Sequence, residues 1–348
     1  MEERSKQTDE LVRSDRIAVT AIVATYNEVR HITHCLDGLL AQTGLDGDVE
    51  VVVIDGMSAD GTQRVIRDFP EFGSKIRLVE NRRRLQVYAW NLGLQAARGE
   101  YVAMISAHAE YRPDYFASCL EVLRRTGATA VGGVQKPCGE GTLGRAIAWC
   151  MSSPFGMGNA RFRYTDKEEE TDSVFGLFIR RETIMDAGGY DERVPFDEDS
   201  ELNYRLRQRG AKLVVSPTIH VSYHVRRSLK ALWKQMYRYG YWRRYTQLLH
   251  STSVPVRVLV PPLFVGGLAL SVALLPTPLR LFSVLIPIAY TAFLIAAAVR
   301  AAKQIGSDAI AVPVALATMH FSYGWGWWRA FVKFGFERRK VHDAVPLF

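Results

Sequence analysis

The sequence predicts an α/β domain on a mostly parallel sheet with flanking helices, followed by a C-terminal region of amphipathic and membrane-spanning helices. Three observations predict it. Short β-branched apolar runs alternate with helical patterns over residues 17–105. Polar motifs fall where the strands end, which is where parallel sheets bind ligands. Residues 256–328 are dominated by long apolar stretches, whereas residues 1–16 are polar and hold no apolar run suited to a signal peptide.

The elements follow in order. Ile17 to Ala24 reads as a buried strand ending at Thr25-Tyr26-Asn27-Glu28, and Ile32, Leu36, Leu39 and Leu40 mark a helix after it. Val49 to Ile54 is a second buried strand, ending at Asp55-Gly56-Met57-Ser58-Ala59-Asp60-Gly61-Thr62 and followed by another helix. Ile76 to Val79 is a third strand and Val87 to Ala97 a third helix. Tyr101 to Ile105 is a fourth strand, ending at Ser106-Ala107-His108-Ala109. Residues 139–172 are poorly periodic and rich in Gly, Ser and charge, the pattern of a mobile loop.

Four regions result: a polar tail over 1–16, a catalytic domain over 17–225, a basic amphipathic juxtamembrane helix over 226–250, and a membrane region over 251–348. In the third, Arg226, Lys230, Lys234 and Arg238 recur every four residues, while Leu229, Trp233, Met236 and Tyr237 occupy another part of the helix. The fourth holds apolar segments 256–275, 281–299 and 309–328 and a basic tail, Arg329 to Lys340. Pro261-Pro262 and Gly266-Gly267 are expected to interrupt the first segment, and the third is read as either crossing or re-entrant, so the number of crossings stays open. The net charge of +8 is partly concentrated at 226–244, beside the apolar spans, which points to anionic lipid on the cytoplasmic side and away from nucleic acid. Cys35, Cys119, Cys138 and Cys150 form no C-x-x-C pair, so they read as reduced thiols.

Phe196-Asp197-Glu198-Asp199-Ser200-Glu201-Leu202 concentrates carboxylates ahead of an Arg-rich helix, Asn203 to Gln208. Helix N-termini favour negative charge, so capping is one reading. A fixed carboxylate waiting to take a proton is the other. Asp60 likewise reads either as a ligand or as a helix cap.

The ordered series Ala24-Thr25-Tyr26-Asn27-Glu28, Asp55-Gly56-x-Ser58-x-Asp60-Gly61-Thr62, Asn91-x-Gly93, Ala97-Arg98-Gly99-Glu100-Tyr101, Gly188-Gly189-Tyr190-Asp191-Glu192 and Glu198-Asp199 resembles glycosyltransferase family 2. It most resembles membrane-bound bacterial enzymes of exopolysaccharide assembly, succinoglycan-type glycosyltransferases. The resemblance covers roughly residues 17–245 and implies a GT-A fold. It implies an inverting transfer from a nucleotide-sugar, UDP-hexose, to a lipid-linked (polyprenyl diphosphate) acceptor at the plasma (inner) membrane, with the catalytic domain cytoplasmic. Asp199 is then the general base and Glu198 orients the site or the acceptor, while Asp197 and Glu201 are surface or helix-start charges. Asp55 accepts the uracil N3–H. Thr25, Tyr26, Glu28, Ser58, Arg84 and Ser106 bind the nucleotide-sugar, together with Gln235 and Arg238 of a variant Q-x-x-R-W motif whose last position is Tyr239. For this helix, lipid anchoring alone is the alternative role.

The family's metal motif, D-x-D or D-x-H, corresponds here to Ser106-Ala107-His108. The resemblance implies Mn²⁺ or Mg²⁺ held by His108 and His224, with Glu110 as a further oxygen donor; imidazole suits Mn²⁺ better. Ser106 departs from the pattern, and it motivates the alternative of a weak or inactive member acting as a nucleotide-binding assembly subunit of a membrane glycan complex. A transporter is disfavoured, because the apolar segments carry no carboxylate. Donor sugar, linkage, processivity and oligomeric state are not encoded in any motif.

Overall fold

The computed structural model describes residues 16–250 and 256–335. The chain order opens with β1 (Ile17–Thr25), α1 (Ile32–Leu40), β2 (Asp48–Asp55), α2 (Thr62–Arg67), β3 (Ile76–Glu80), α3 (Gln86–Ala96), β4 (Tyr101–Ser106), α4 (Tyr115–Thr126) and β5 (Ala130–Cys138). Next come α5 (Gly141–Met151), α6 (Pro154–Met157), β6 (Glu169–Glu170), β7 (Phe175–Arg180), α7 (Arg181–Asp186), α8 (Glu198–Gln208) and β8 (Leu213–His224). The long helices α9 (Leu229–His250), α10 (Val256–Leu274), α11 (Leu285–Ile305) and α12 (Val312–Phe334) complete it. Two compact units divide the chain: Met1–Lys136 with Thr165–Tyr223, and Pro137–Tyr164 with His224–Phe348.

The first unit is built on the sheet, whose strand order is β3-β2-β1-β4-β7-β5-β8-β6. β1 pairs in parallel with β2 and β4, and β2 with β3, as the strand–helix alternation predicts. β7 is antiparallel to both β4 and β5, so the sheet is mixed beyond β4. Side chains alternate across each strand. Val19, Ala21 and Val23 of β1 and Val51 and Val53 of β2 pack on one face with Ile32, Leu36 and Leu39 of α1 and Phe116 of α4. Ile22, Val52 and Ile54 pack on the other with Trp90 and Leu94 of α3 and Leu202 and Leu206 of α8. Burial on both faces explains why these strands read as unbroken apolar runs. Gly93 allows α3 to lie directly on β1, since a Cβ there would come within 2.2 Å of Ile22 Cγ2.

The second unit contains the apolar helices. Gly240 and Gly326 let α9 and α12 approach backbone to backbone: a Cβ at either would meet a carbonyl oxygen, of Tyr323 or Tyr237, at about 2 Å. Large apolar side chains such as Leu263, Leu270, Leu281, Ile288, Ile295, Phe321 and Trp325 are exposed. The helical run Arg280–Phe334 includes a stretch with mean hydropathy 2.2, long and apolar enough to cross a membrane, and Val258–Leu274 is a shorter apolar helix. α10 runs unbroken through Pro261 and Pro262, contrary to the expected interruption. The Pro262 carbonyl accepts from Trp328 Nε1 at 2.8 Å, so a neighbouring helix satisfies it. α12 is one continuous helix over Val312–Phe334. The expected mobile loop is also corrected. Residues 141–151 form α5, whose Ala146, Ile147, Trp149, Cys150 and Met151 are buried. Trp149 Nε1 donates to Gln304 Oε1 at 2.7 Å, and Arg145 pairs with Asp308. The basic tail beyond residue 335 and the polar tail before residue 16 lie outside the described residues.

Candidate active site

β2, β1 and β4 are neighbours in register, with Thr25 opposite Asp55 and Ala24 opposite Ser106. Three of the sequence motifs therefore emerge side by side at one edge of the sheet. Two of the loops are laced together. Asn27 N–H donates to Ser58 Oγ at 2.8 Å, and Ala59 N–H donates back to Asn27 Oδ1 at 3.0 Å. Glu28 N–H donates to Thr62 Oγ1 at 2.9 Å. Asp60 accepts from the N–H groups of Val29 and Thr62, which makes it a clasp between the loops. The bond from the Thr62 hydroxyl leads the effects that hold its carboxyl below the ordinary value.

Asp55 is fully buried at the end of β2. Its Oδ1 accepts from Ser58 Oγ at 2.5 Å, and its Oδ2 accepts from Ser58 N–H at 2.8 Å and from Gln63 Nε2 at 2.6 Å. A carboxylate offers about four acceptor positions, so about one remains. Beside it, the buried Thr25 Oγ1 has no hydrogen-bond partner among the described residues. Tyr26 is half exposed. Of the Arg triplet, Arg82 pairs with Glu80, and Arg83 pairs with Glu192 and lies over the Tyr88 ring. Arg84 is exposed at a positive φ of 58° and its side chain makes no bond among the described residues.

At the end of β4, His108 bridges two motifs. Its Nδ1 lies 3.2 Å from Glu28 Oε1 and its Nε2 lies 3.3 Å from Ser106 Oγ. Ser106 N–H donates to the half-buried Tyr111 OH at 2.9 Å, which fixes the strand end. The structure thus brings a carboxylate to His108 from β1 where the local tripeptide has none. Glu110 is exposed.

The second acidic group stands on α8. The helix starts at Glu198, a turn earlier than the Arg-rich pattern predicts, and Asp197 is its N-cap. Asp197 and Glu201, expected as surface or helix-start charges, do stand at the helix start, but both are buried. The earlier start turns Glu201 inward, where its carboxylate takes both Nε and Nη2 of Arg205 at 2.5 and 2.7 Å. Arg205 also donates to the carbonyls of Ala187 and Gly189, which anchors the glycine turn. Burial and then the neighbouring Asp199 push the Glu198 carboxyl well above its ordinary range. Asp199 is only partly enclosed by accessible surface. Burial and the Asp197 carboxylate raise it to about 6. The pair therefore holds a proton more readily than free carboxyls, and one member opens to solvent. The buried Tyr190 hydroxyl is raised well above its ordinary value by burial, then by Asp199 and Glu198.

α3 holds the turn that precedes α8. Asn91 Nδ2 donates to Tyr190 O at 2.9 Å and to Glu192 Oε1 at 3.2 Å, and Tyr190 N–H donates to Asn91 Oδ1 at 2.9 Å. Sequence reading singled out Asn91-x-Gly93 without a role; the structure gives it this clamp. Gln63 and Tyr190 went unrecognised as neighbours of Asp55 and Asp199. Only the position of Gln63 one residue after the aspartate-rich loop signalled it. Three further predicted residues belong to the second unit. His224 ends β8 and is exposed. Gln235 is buried on α9 with Nε2 donating to Tyr239 OH at 3.1 Å, and Arg238 follows one turn later.

Residues 20–188 match the model of Glycosyl transferase family 2. Among curated proteins, the chain is 28% identical to Succinoglycan biosynthesis protein ExoA of Rhizobium meliloti, over 73% of this chain and 76% of that protein. It is also 28% identical to dolichyl N-acetyl-alpha-D-glucosaminyl phosphate 3-beta-D-2,3-diacetamido-2,3-dideoxy-beta-D-glucuronosyltransferase of Methanococcus voltae, over 64% of this chain and 71% of that one. Among solved structures, the mannosyltransferase PcManGT of Pyrobaculum calidifontis, in complex with GDP-Man and Mn²⁺, superposes with a TM-score of 0.57. The superposition covers 89% of this chain and 88% of that one at 21% identity, and it shows the shared fold, GT-A.

Proposed function

We propose, for a chain that carries a glycosyltransferase family 2 domain and is a glycosyltransferase, that it moves a hexose from UDP to a lipid-linked acceptor with inversion, at the cytoplasmic face of the inner membrane. The observation that carries the reading is the Glu198–Asp199 pair, whose more open member has a carboxyl raised to about 6. Such a group is largely ionised at neutral pH yet basic enough to take a proton. Asp199 removes the proton of the acceptor hydroxyl as its oxygen bonds to the anomeric carbon. The bond from that carbon to the diphosphate oxygen breaks, and the nucleoside diphosphate leaves from the opposite face with the electron pair. Base catalysis of this kind contributes about 10²–10⁴-fold, and holding both reactants in place supplies much of the rest. Glu198, deeper and more strongly protonated, orients the site.

The donor reading rests on Asp55. With three of its acceptor positions in use, it has room for one N–H. Uracil offers one N–H, whereas the corresponding edge of guanine offers N–H groups from two nitrogens. Thr25, Tyr26, Glu28, Ser58, Arg84 and Ser106 complete the nucleotide-sugar contacts in this reading.

Glu28 and His108 fit a divalent cation. Two adjacent ligands about 2.1 Å from an octahedral ion lie roughly 3.0 Å apart, and Glu28 Oε1 and His108 Nδ1 are separated by 3.2 Å. The Ser106 hydroxyl beside the other ring nitrogen fixes the imidazole, as outer partners of ligating histidines do. When bound, the cation supplies positive charge that offsets the diphosphate; the imidazole favours Mn²⁺ over Mg²⁺.

The exposed apolar helices support an acceptor that lives in the bilayer. The names of the relatives, one for succinoglycan biosynthesis and one for a dolichyl phosphate substrate, support a lipid-borne glycan. The test is a transfer assay on the full chain in vesicles containing a polyprenyl diphosphate-linked sugar, with UDP-, GDP- and dTDP-hexoses and Mn²⁺. The expected result is a UDP-hexose-dependent glycolipid that disappears in Asp199→Asn. Turnover with GDP-hexose alone would refute the donor, and transfer to water alone would refute the acceptor.

A further inference from the structure

Within the helical unit, α9 and α12 enclose a cleft of about 390 Å³ lined by Tyr237, Arg238, Tyr241, Trp242, Arg329 and Lys333. Three of these six side chains are cationic and three are aromatic with a polar tip. No described residue lining the cleft is acidic. Arg329 and Lys333 are exposed, and neither forms an ion pair with a described residue. Tyr237 and Tyr241 stack at 6.2 Å, and Trp242 meets Tyr241 edge-on at 5.5 Å, so one wall is a rigid aromatic panel.

α9 and α12 pack side by side, with Gly240 against Tyr323 and Gly326 against Tyr237, so the cleft lies on the flank of one helix pair. The same unit exposes large apolar side chains, Phe321 and Trp325 of α12 among them, as a surface that meets a bilayer does. Tyr and Trp favour the head-group layer of a bilayer, with an apolar ring and a wet polar tip. Cations set between membrane helices at the surface match anionic head groups.

We propose that this cleft binds the phosphate of an anionic lipid. Arg238, Arg329 and Lys333 surround the phosphoryl oxygens, and the aromatic panel packs against the adjoining part of the head group. The assignment comes from α9 and α12 alone and holds whichever sugar the chain transfers. Two sources present the same chemistry: a bulk phospholipid such as phosphatidylglycerol, and a prenyl phosphate.

Native mass spectrometry of the detergent-solubilised full chain tests it, with phosphatidylcholine, phosphatidylglycerol and decaprenyl phosphate as probes and inorganic pyrophosphate as competitor. The expected result is retention of an anionic lipid over phosphatidylcholine, reduced by pyrophosphate. Loss of one surface cation lowers such binding about 5-fold, so Arg329→Gln with Lys333→Gln lowers the preference about 25-fold. Lys333→Gln alone lowers it about 5-fold, and Arg329→Lys keeps most of it. Arg280→Gln with Lys303→Gln, exposed cations of the same unit outside the cleft, leaves it unchanged. Retention of phosphatidylglycerol identifies the bulk lipid, and retention confined to decaprenyl phosphate identifies the isoprenoid; either supports the site. Equal retention of all three lipids, or an equal loss from the control pair, overturns it.

Discussion

Replacing Asp199 by asparagine should abolish transfer and, at the same time, make the protein more stable at alkaline pH. The reasoning starts from the shift. The carboxyl moves from 3.8 to about 6, chiefly through burial and then through the Asp197 charge. Each unit corresponds to about 1.4 kcal/mol, so ionising this group costs the folded state about 3 kcal/mol relative to the unfolded chain. The sign is that of a raised acid. Below pH 4 both states are protonated and the group has no effect. As pH rises to 6 the unfolded chain releases its proton first, and stability falls; above about 6 the whole cost is present. Asparagine keeps the shape and does not titrate. The variant should therefore match the parent near pH 4 and exceed it by about 3 kcal/mol near pH 8. For a unit of this size that is about 6–12 °C in Tm.

Thermal unfolding of the full chain in detergent across pH 4–8 measures the stability side. The activity side is kcat/KM against pH, which should rise with a midpoint near the raised carboxyl value and fall about 10²–10⁴-fold in the variant. Because Glu198 and Asp199 titrate together, the midpoint belongs to the pair. Parallel stability curves for parent and variant at every pH would refute the buried-acid argument. A variant that loses activity but gains no stability at pH 8 would mean that Asp199 ionises without penalty and owes nothing to its surroundings.

Four other changes test the rest of the site. Glu28→Gln should weaken calorimetric Mn²⁺ binding, measured with UDP present, by at least about 10-fold, whereas Glu110→Gln should not; the reverse pattern would move the cation site to Glu110. Ser106→Asp sets a carboxylate beside His108 Nε2 and should strengthen that binding by making the imidazole more basic, and an unchanged affinity would refute the orienting role of position 106. Gln63→Ala frees an acceptor position on Asp55, so it should raise GDP affinity relative to UDP; an unaltered ratio in competitive binding would sink the one-donor argument. Glu50 is held below its ordinary value because bonds from Thr20 and Arg98 and the charge of Arg77 outweigh its burial. Its stabilisation is present above the unfolded value and lost as pH falls through the folded one. Glu50→Gln should cost about 2 kcal/mol at pH 7 and little at pH 3, read by thermal unfolding.

Much of the first unit was legible because a parallel sheet buried on both faces writes its strands as unbroken apolar runs. β1 to β4 and the helices between them fall where those runs predict. The antiparallel β7 was not legible, since Phe175–Arg180 is one apolar run among several and its partner strands lie far away in sequence. α5 was missed for a different reason. Its apolar face is covered by the helices and turn after residue 280, so its Gly and charge content looked like loop composition. The charge of α8 misled in the same way. Glu201 looks like a surface residue until Arg205, one turn along the same helix, is seen to be turned inward with it.

The proposed cation site shows the limit most clearly. Within Ser106-Ala107-His108 the sequence records only a missing acid, and a local reading concludes that metal binding is impaired. The register of β1 against β4 sets Ala24 opposite Ser106, which brings the loop after β1 level with the loop after β4. Glu28, 80 positions earlier, thereby reaches His108. A ligand set is a property of neighbouring strand ends, not of a tripeptide. A substitution that looks like a loss within one loop can be met by a residue in the next, provided the sheet holds both loops in register. Here Ala18 to Val23 of β1 and Tyr101 to Ile105 of β4 are buried throughout, and the lacing of Asn27, Glu28 and Val29 to Ser58, Thr62 and Asp60 holds the β1 loop against β2. The carboxylate is delivered by backbone that the sheet and the loop lacing hold in place, and in the proposed site this leaves Ser106 to serve as the partner that orients the imidazole.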